Sequence, residues 1–162
     1  MKRLILAAVL SVLSLAASAE TRVERLRTVL DGPDRNYVFV ALHRGAWREY
    51  PENSISGIKG AIAMGADMIE IDASRTKDGK FVLNHDNKLD RVTNGKGEVK
   101  DHTLAEIKAL FLKELDGGDN AKLTSERVPT LEEALETARG QILVNIDRSG
   151  VWPEEIAAIV RK

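Results

Sequence analysis

The chain has 162 residues, room for one domain, with 43% apolar residues and a formal net charge of −1. That balance gives no electrostatic reason to hold nucleic acid or an anionic membrane. Without a single cysteine, no disulfide framework or lipid-modified N-terminal cysteine is available, so a hydrophobic core must carry the fold.

Lys2 and Arg3 precede an uninterrupted small and apolar run over residues 4–17, and Ala17-Ser18-Ala19 fits a small-residue cleavage site. The run is shorter than the roughly 20 residues a bilayer requires. Residues 1–19 therefore read as a secretory signal peptide cut after Ala19. This gives an expected periplasmic or secreted location with no stable membrane anchor. Cleavage removes two positive charges and no negative ones, leaving a more acidic remainder.

Residues 20–36 form an expected lead-in helix and linker. Val23, Leu26 and Leu30 recur at helical spacing, and Gly32-Pro33-Asp34 ends them. Residues 37–42 are a continuous apolar, mostly β-type run, which predicts a strand buried on both faces. Asn53 or Ser54 can cap a helix carrying Ile55, Ile58 and Ile62, closed by Gly65. Residues 68–72 and 81–85 predict a second and third strand, separated by the turn Lys77-Asp78-Gly79. Asn94-Gly95 predicts a small hairpin, and Thr103 with Glu106 a capping box opening a helix through Leu110. Residues 115–127 read as a loop. A second capping pair, Thr130 and Glu133, opens a helix that Gly140 ends. Residues 142–147 then predict a fourth strand, and Pro153 starts a last helix with Ile156, Ile159 and Val160 inward.

Apolar strands alternating with helices indicate a parallel sheet covered by helices, either doubly wound or closed as a (β/α)8 barrel. No glycine-rich phosphate loop follows the first strand, which counts against a nucleotide-binding open sheet. Composition alone decides no further.

The strand ends carry the chemistry. They read His43-Arg44-Gly45, Glu70-Ile71-Asp72, Asn84-His85-Asp86 and Asn145-Ile146-Asp147, and in parallel α/β folds the carboxyl ends of strands form the active face. Residues two apart share a face, so Glu70 projects with Asp72, and Asn145 with Asp147. Paired carboxylates repel unless a cation lies between them or one is protonated, and oxygen ligands suit Ca²⁺ or Mg²⁺. A histidine pair such as His43 and His85, with an ordinary pKa of about 6.5, suits acid/base cleavage of a phosphodiester. Arg44 can fork onto phosphate oxygens. A strand-end histidine or a Glu-x-Asp pair standing alone is ordinarily structural, and His102 reads so. Joint occurrence at four successive strand ends reverses the balance.

These residues resemble the signature of the glycerophosphodiester phosphodiesterase domain. The matching segments are His43-Arg44-Gly45, Pro51-Glu52-Asn53, the run from Gly65 to Asp72, Thr76-Lys77-Asp78-Gly79, His85-Asp86, Asn94-Gly95-Lys96-Gly97 and Val128-Pro129-Thr130-Leu131-Glu132-Glu133. The resemblance implies a (β/α)8 barrel, truncated here to about its first four β/α units and spanning residues 37–162. It implies a Ca²⁺- or Mg²⁺-dependent hydrolase that splits a small glycerophosphodiester into glycerol 3-phosphate and an alcohol. His43 and His85 would be the acid/base pair and Glu70 and Asp72 the metal ligands, with Arg44 and Glu52 around the phosphate. Asp147 would complete the metal site, although Asp147-Arg148-Ser149 stands where the family commonly has Glu-x-Lys. A whole barrel takes about 250 residues. Open half-barrel edges would therefore favour self-association, and the alternatives are a non-catalytic half-domain that binds a metal or a partner, or a related barrel phospholipase.

Overall fold

The computed structural model describes residues 20–32, 36–147 and 149–161, so the expected signal peptide and Arg148 lie outside the described residues. The elements run α1 (Arg22–Asp31), β1 (Ala41–Leu42), α2 (Ile55–Ala63), β2 (Met68–Arg75), β3 (Phe81–Leu83), α3 (Leu104–Lys108), β4 (Phe111–Lys113), β5 (Leu123–Arg127), α4 (Leu131–Ala138), β6 (Leu143–Asp147) and α5 (Pro153–Val160). Among the described residues no helix is long and apolar enough to cross a membrane.

The centre is β2. Its first half pairs in parallel with β1 on one side, Leu42 opposite Ile69, and with β6 on the other, from Met68 opposite Leu143 to Asp72 opposite Asp147. Strand parity splits β2 into two faces. Ile69, Ile71 and Ala73 point into a core built with Ile58 and Ala61 of α2, Leu131, Ala134 and Ala138 of α4, and Ile156 of α5. Burying each isoleucine there contributes about 1.5–3 kcal/mol. Met68, Glu70 and Asp72 are left on the opposite face. Parallel strands with helices on one side form an arc of a (β/α)8 barrel, and the sheet does not close.

The helix starts follow the sequence. Thr21 with Glu24, Thr103 with Glu106 and Thr130 with Glu133 all form complete capping boxes, and Ser54 caps α2 by accepting from the Gly57 amide. Helix α1 is fastened below the strands. Its Leu26 is buried, and Arg22 donates to the carbonyls of Gly65 (2.7 Å) and Gln141 (3.0 Å) and to Asp67 (3.3 Å).

Several expectations need correction. Residues 37–42 are not a strand buried on both faces. Only Ala41–Leu42 is strand, and Val38 is 81% exposed; among the described residues β1 has β2 as its one strand neighbour. The third strand shortens to β3 and runs antiparallel to β2, with Arg75 opposite Phe81. The turn between them dictates this: Lys77-Asp78-Gly79, with Gly79 at φ +73°, closes a tight reversal, whereas a parallel return needs a crossover of a dozen residues or more. The parallel strands among the described residues are thus β1, β2 and β6.

Residues 84–130 form an excursion whose Leu89, Val99, Ile107, Leu112 and Val128 build a second core on Val82 of β3. Within it, residues 115–127 are not a loop throughout, since β5 pairs antiparallel with β4. The alternating exposure of β5 has too little apolar content to announce a strand. Asn94-Gly95 makes no two-residue hairpin. The isolated bridges there are Lys88 opposite Glu98 and Thr93 opposite Leu112, and Gly97 takes the left-handed backbone. The helix expected to run through Leu110 ends at Lys108, and Val160 of α5 is exposed rather than inward.

Candidate active site

The turn after β1 is built by backbone rather than side-chain chemistry. Arg44 (φ +52°) and Gly45 (φ +74°) both take the left-handed conformation, bending the chain back onto α2. A Cβ on Gly45 would lie 3.1 Å from the Gly57 backbone, so close approach as well as φ requires glycine. The bend turns the Arg44 amide onto Glu70 Oε2 (3.0 Å) and leaves His43 beside it, with Nε2 3.9 Å from the same oxygen. His43 is largely exposed; Glu70 is not.

A second left-handed residue, Asn53 (φ +53°), anchors the next segment. Its amide donates to the Arg44 carbonyl (3.0 Å). Its side chain grips Asp72 twice, Nδ2 donating to Oδ2 (2.8 Å) while Oδ1 accepts from the Asp72 amide (3.0 Å). Arg44 then runs between Glu52 and Asp72, Nη1 donating to Glu52 Oε2 (3.0 Å) and Nε lying 3.7 Å from Asp72 Oδ2. That Nε is buried with no hydrogen-bond partner.

Glu70, Asp72 and Asp147 converge, each offering an oxygen within 4.8 Å of the others. Burial pushes the Glu70 carboxyl above its ordinary value, the Arg44 amide opposes this, and the charges of Asp72 and Asp147 add to the rise. Three crowded carboxylates with one guanidinium alongside form an oxygen-rich site that suits a hard divalent cation.

His85 follows β3, where Nδ1 meets Asp86 Oδ1 at 2.8 Å. Asp86 is held by Arg91, which donates to Asp86 Oδ2 through Nε (2.8 Å) and to Oδ1 through Nη2 (3.0 Å). Those bonds, above the opposing effect of burial, hold the Asp86 carboxyl at about 2. Arg91 also forks onto Glu52. Glu52, 2% exposed, therefore lies beneath the site with both oxygens on guanidinium groups rather than open to a ligand.

The sequence-expected residues thus fall into two linked sets. His43, Glu70, Asp72 and Asp147 meet directly, and His85 joins them through Asp86, Arg91, Glu52 and Arg44. Sequence reasoning missed Asn53 as the grip on Asp72, and it missed Arg91 and Asp86. A cavity of about 400 Å³ opens beside His43, lined by Leu42, Ala46, Trp47, Glu49 and Met64. A larger groove of about 650 Å³ between β5 and α4 has none of these groups in its lining. His102 bonds the Lys96 carbonyl through Nε2 (3.0 Å), in keeping with a structural role.

Residues 43–152 match the family model of the glycerophosphoryl diester phosphodiesterase family. The chain is 47% identical over 116 residues to a glycerophosphodiester phosphodiesterase of Caldanaerobacter subterraneus, covering 69% of this chain and 46% of that one. It is 46% identical over 109 residues to a glycerophosphodiester phosphodiesterase of Bacillus subtilis, covering 64% and 36%. A solved glycerophosphoryl diester phosphodiesterase from Parabacteroides distasonis superposes with a TM-score of 0.71 at 34% identity, over 86% of this chain and 48% of that one. A phosphodiesterase from Oleispira antarctica, solved with the product sn-glycerol 3-phosphate, gives 0.64 at 33% identity over 76% and 51%. The chain spans about half the length of these relatives or less.

Proposed function

The chain belongs to the glycerophosphoryl diester phosphodiesterase family, and from that premise we propose that it takes part in hydrolysis of glycerophosphodiesters to sn-glycerol 3-phosphate and an alcohol. The observation that carries this reading is the convergence of Glu70, Asp72 and Asp147 within 4.8 Å, with His43 against Glu70. The product bound in the Oleispira relative supports the substrate class.

Glu70, Asp72 and Asp147 would hold Ca²⁺ or Mg²⁺, which supplies positive charge against the phosphate when bound. Arg44, held between Glu52 and Asp72, brings its guanidinium charge to the phosphate oxygens. Glu52 serves the phosphate indirectly, by aiming Arg44. Asp86 orients His85 through Nδ1, and His85 serves as the base that takes a proton from the attacking water. His43, with Nε2 3.9 Å from Glu70 Oε2, gives its proton to the leaving alkoxide. Residues 1–19 support export, with Glu20 as the mature N-terminus.

Hydrolysis of sn-glycero-3-phosphocholine with added Mg²⁺ or Ca²⁺, and its loss on adding chelator, tests the reading. Turnover insensitive to chelator would refute the metal assignment. A folded, cation-binding chain with no turnover would favour a binding role.

A further inference from the structure

Arg91 lies in none of the motifs that define the site, yet it is the most fully bonded side chain near it. All five guanidinium hydrogens have acceptors. Nε donates to Asp86 Oδ2, and Nη2 donates to Asp86 Oδ1 and to Glu52 Oε1 (2.8 Å). Nη1 donates to Glu52 Oε2 (3.0 Å) and to the Asp116 carbonyl. The two carboxylates it joins are 34 residues apart in sequence and belong to different parts of the fold: Glu52 precedes α2, and Asp86 opens the excursion after β3. Each contacts one working residue. Asp86 holds His85 Nδ1, and Glu52 holds Arg44 Nη1.

We propose that Arg91 is a positioning residue that sets His85 relative to Arg44, by clamping Asp86 and Glu52 with one planar guanidinium. It touches neither the phosphate site nor Glu70, Asp72 or Asp147. Planarity is what the task requires: two carboxylates gripped in the plane of one fork cannot shift independently, so the histidine segment and the arginine segment move as one body. A lysine keeps the charge but has three donors on a single nitrogen and cannot span both carboxylates in register. The proposal rests on the roles given above to His85 and Arg44.

Arg91→Lys and Arg91→Gln in the full chain test it through three readouts. Divalent-cation affinity, by calorimetry with Mg²⁺ alone, stays within about twofold of wild type, because the three carboxylates are untouched. For glycerophosphocholine hydrolysis, kcat falls about tenfold in the lysine variant and about a hundredfold in the glutamine variant, with KM nearly constant, the size of effect a small misplacement produces. In ¹⁵N-histidine spectra the Nδ1–H form of His85, dominant in wild type, loses population in Arg91→Gln and retains part of it in Arg91→Lys. An unchanged His85 spectrum in both variants would overturn the clamp. So would a failure of both to fold, or a fall in kcat matched by an equal fall in cation affinity. If the wild type itself shows no hydrolysis, the functional reading fails while the histidine spectra still decide for or against Arg91.

Discussion

Asp72 and Asp147 face each other across the parallel ladder of β2 and β6, so their carboxylates leave the same side of the sheet at the same height. Glu70, two residues earlier on β2, completes the cluster. Without a cation the arrangement is repulsive, and binding one to the folded chain stabilises it by linkage. Mg²⁺ or Ca²⁺ at about a hundred times Kd adds about 2.7 kcal/mol to unfolding. Asp147→Asn is expected to weaken cation binding about tenfold or more and to shrink that gain, read as the cation-dependent rise in Tm. Equal rises in wild type and variant would exclude Asp147 from the site.

Asn53 combines a left-handed backbone with two hydrogen bonds to Asp72. Asn53→Gly keeps the backbone conformation and removes the grip, whereas Asn53→Ala also strains φ. The glycine variant is expected to lose activity with a small stability change. The alanine variant is expected to lose activity and an additional ~1 kcal/mol or more of stability in denaturant titrations. Full activity in Asn53→Gly would contradict the grip.

The Asp86 carboxyl sits at about 2, against 3.8 ordinarily, mainly through its bonds from Arg91. A depressed folded-state pKa gives stability that is complete above the unfolded value and lost as pH falls through the folded one. The Asp86 contribution should therefore be intact at pH 5 and disappear between about pH 4 and pH 2. In Asp86→Asn the stability curve over that window should be flatter, by urea titration at each pH.

Helix α1 is held to the base of the sheet largely by Arg22, through two carbonyls and Asp67. Arg22→Ala is expected to cost about 1 kcal/mol and to raise amide exchange in α1 while leaving β2 protected. Uniform loss of protection would show that α1 and the sheet unfold as one unit.

Two strands of the arc, β1 and β6, each pair only with β2 among the described residues, and Val38 and Val40 lie exposed beside β1. Open edges and exposed apolar residues favour association. Light scattering of the 162-residue chain is expected to show concentration-dependent oligomers that Val38→Lys reduces.

Much of the site was legible because strand parity and strand ends are local. Glu-x-Asp on β2 and Asn-x-Asp on β6 declare their shared face in sequence, and the register between the strands only brings those faces together. The turn at Lys77-Asp78-Gly79 was legible too, although its consequence, an antiparallel β3, requires weighing turn length against strand direction. Arg91 was not legible. Its carboxylate partners lie 5 and 39 residues away, and nothing in the spacing of Glu52, Asp86 and Arg91 marks them as neighbours. The exposure of Tyr37, Val38 and Val40 was hidden for the same reason, since apolar composition reports what a segment can bury and not which neighbours cover it.

The proposed acid/base roles of His43 and His85 are tested most directly by following glycerophosphocholine with ³¹P spectra in the presence of Mg²⁺, for wild type, His43→Gln and His85→Gln. The expected result is conversion of diester to the monoester sn-glycerol 3-phosphate by wild type, with each variant slowed by about 10²–10⁴-fold while still binding the cation. Undiminished monoester production by either variant would contradict them.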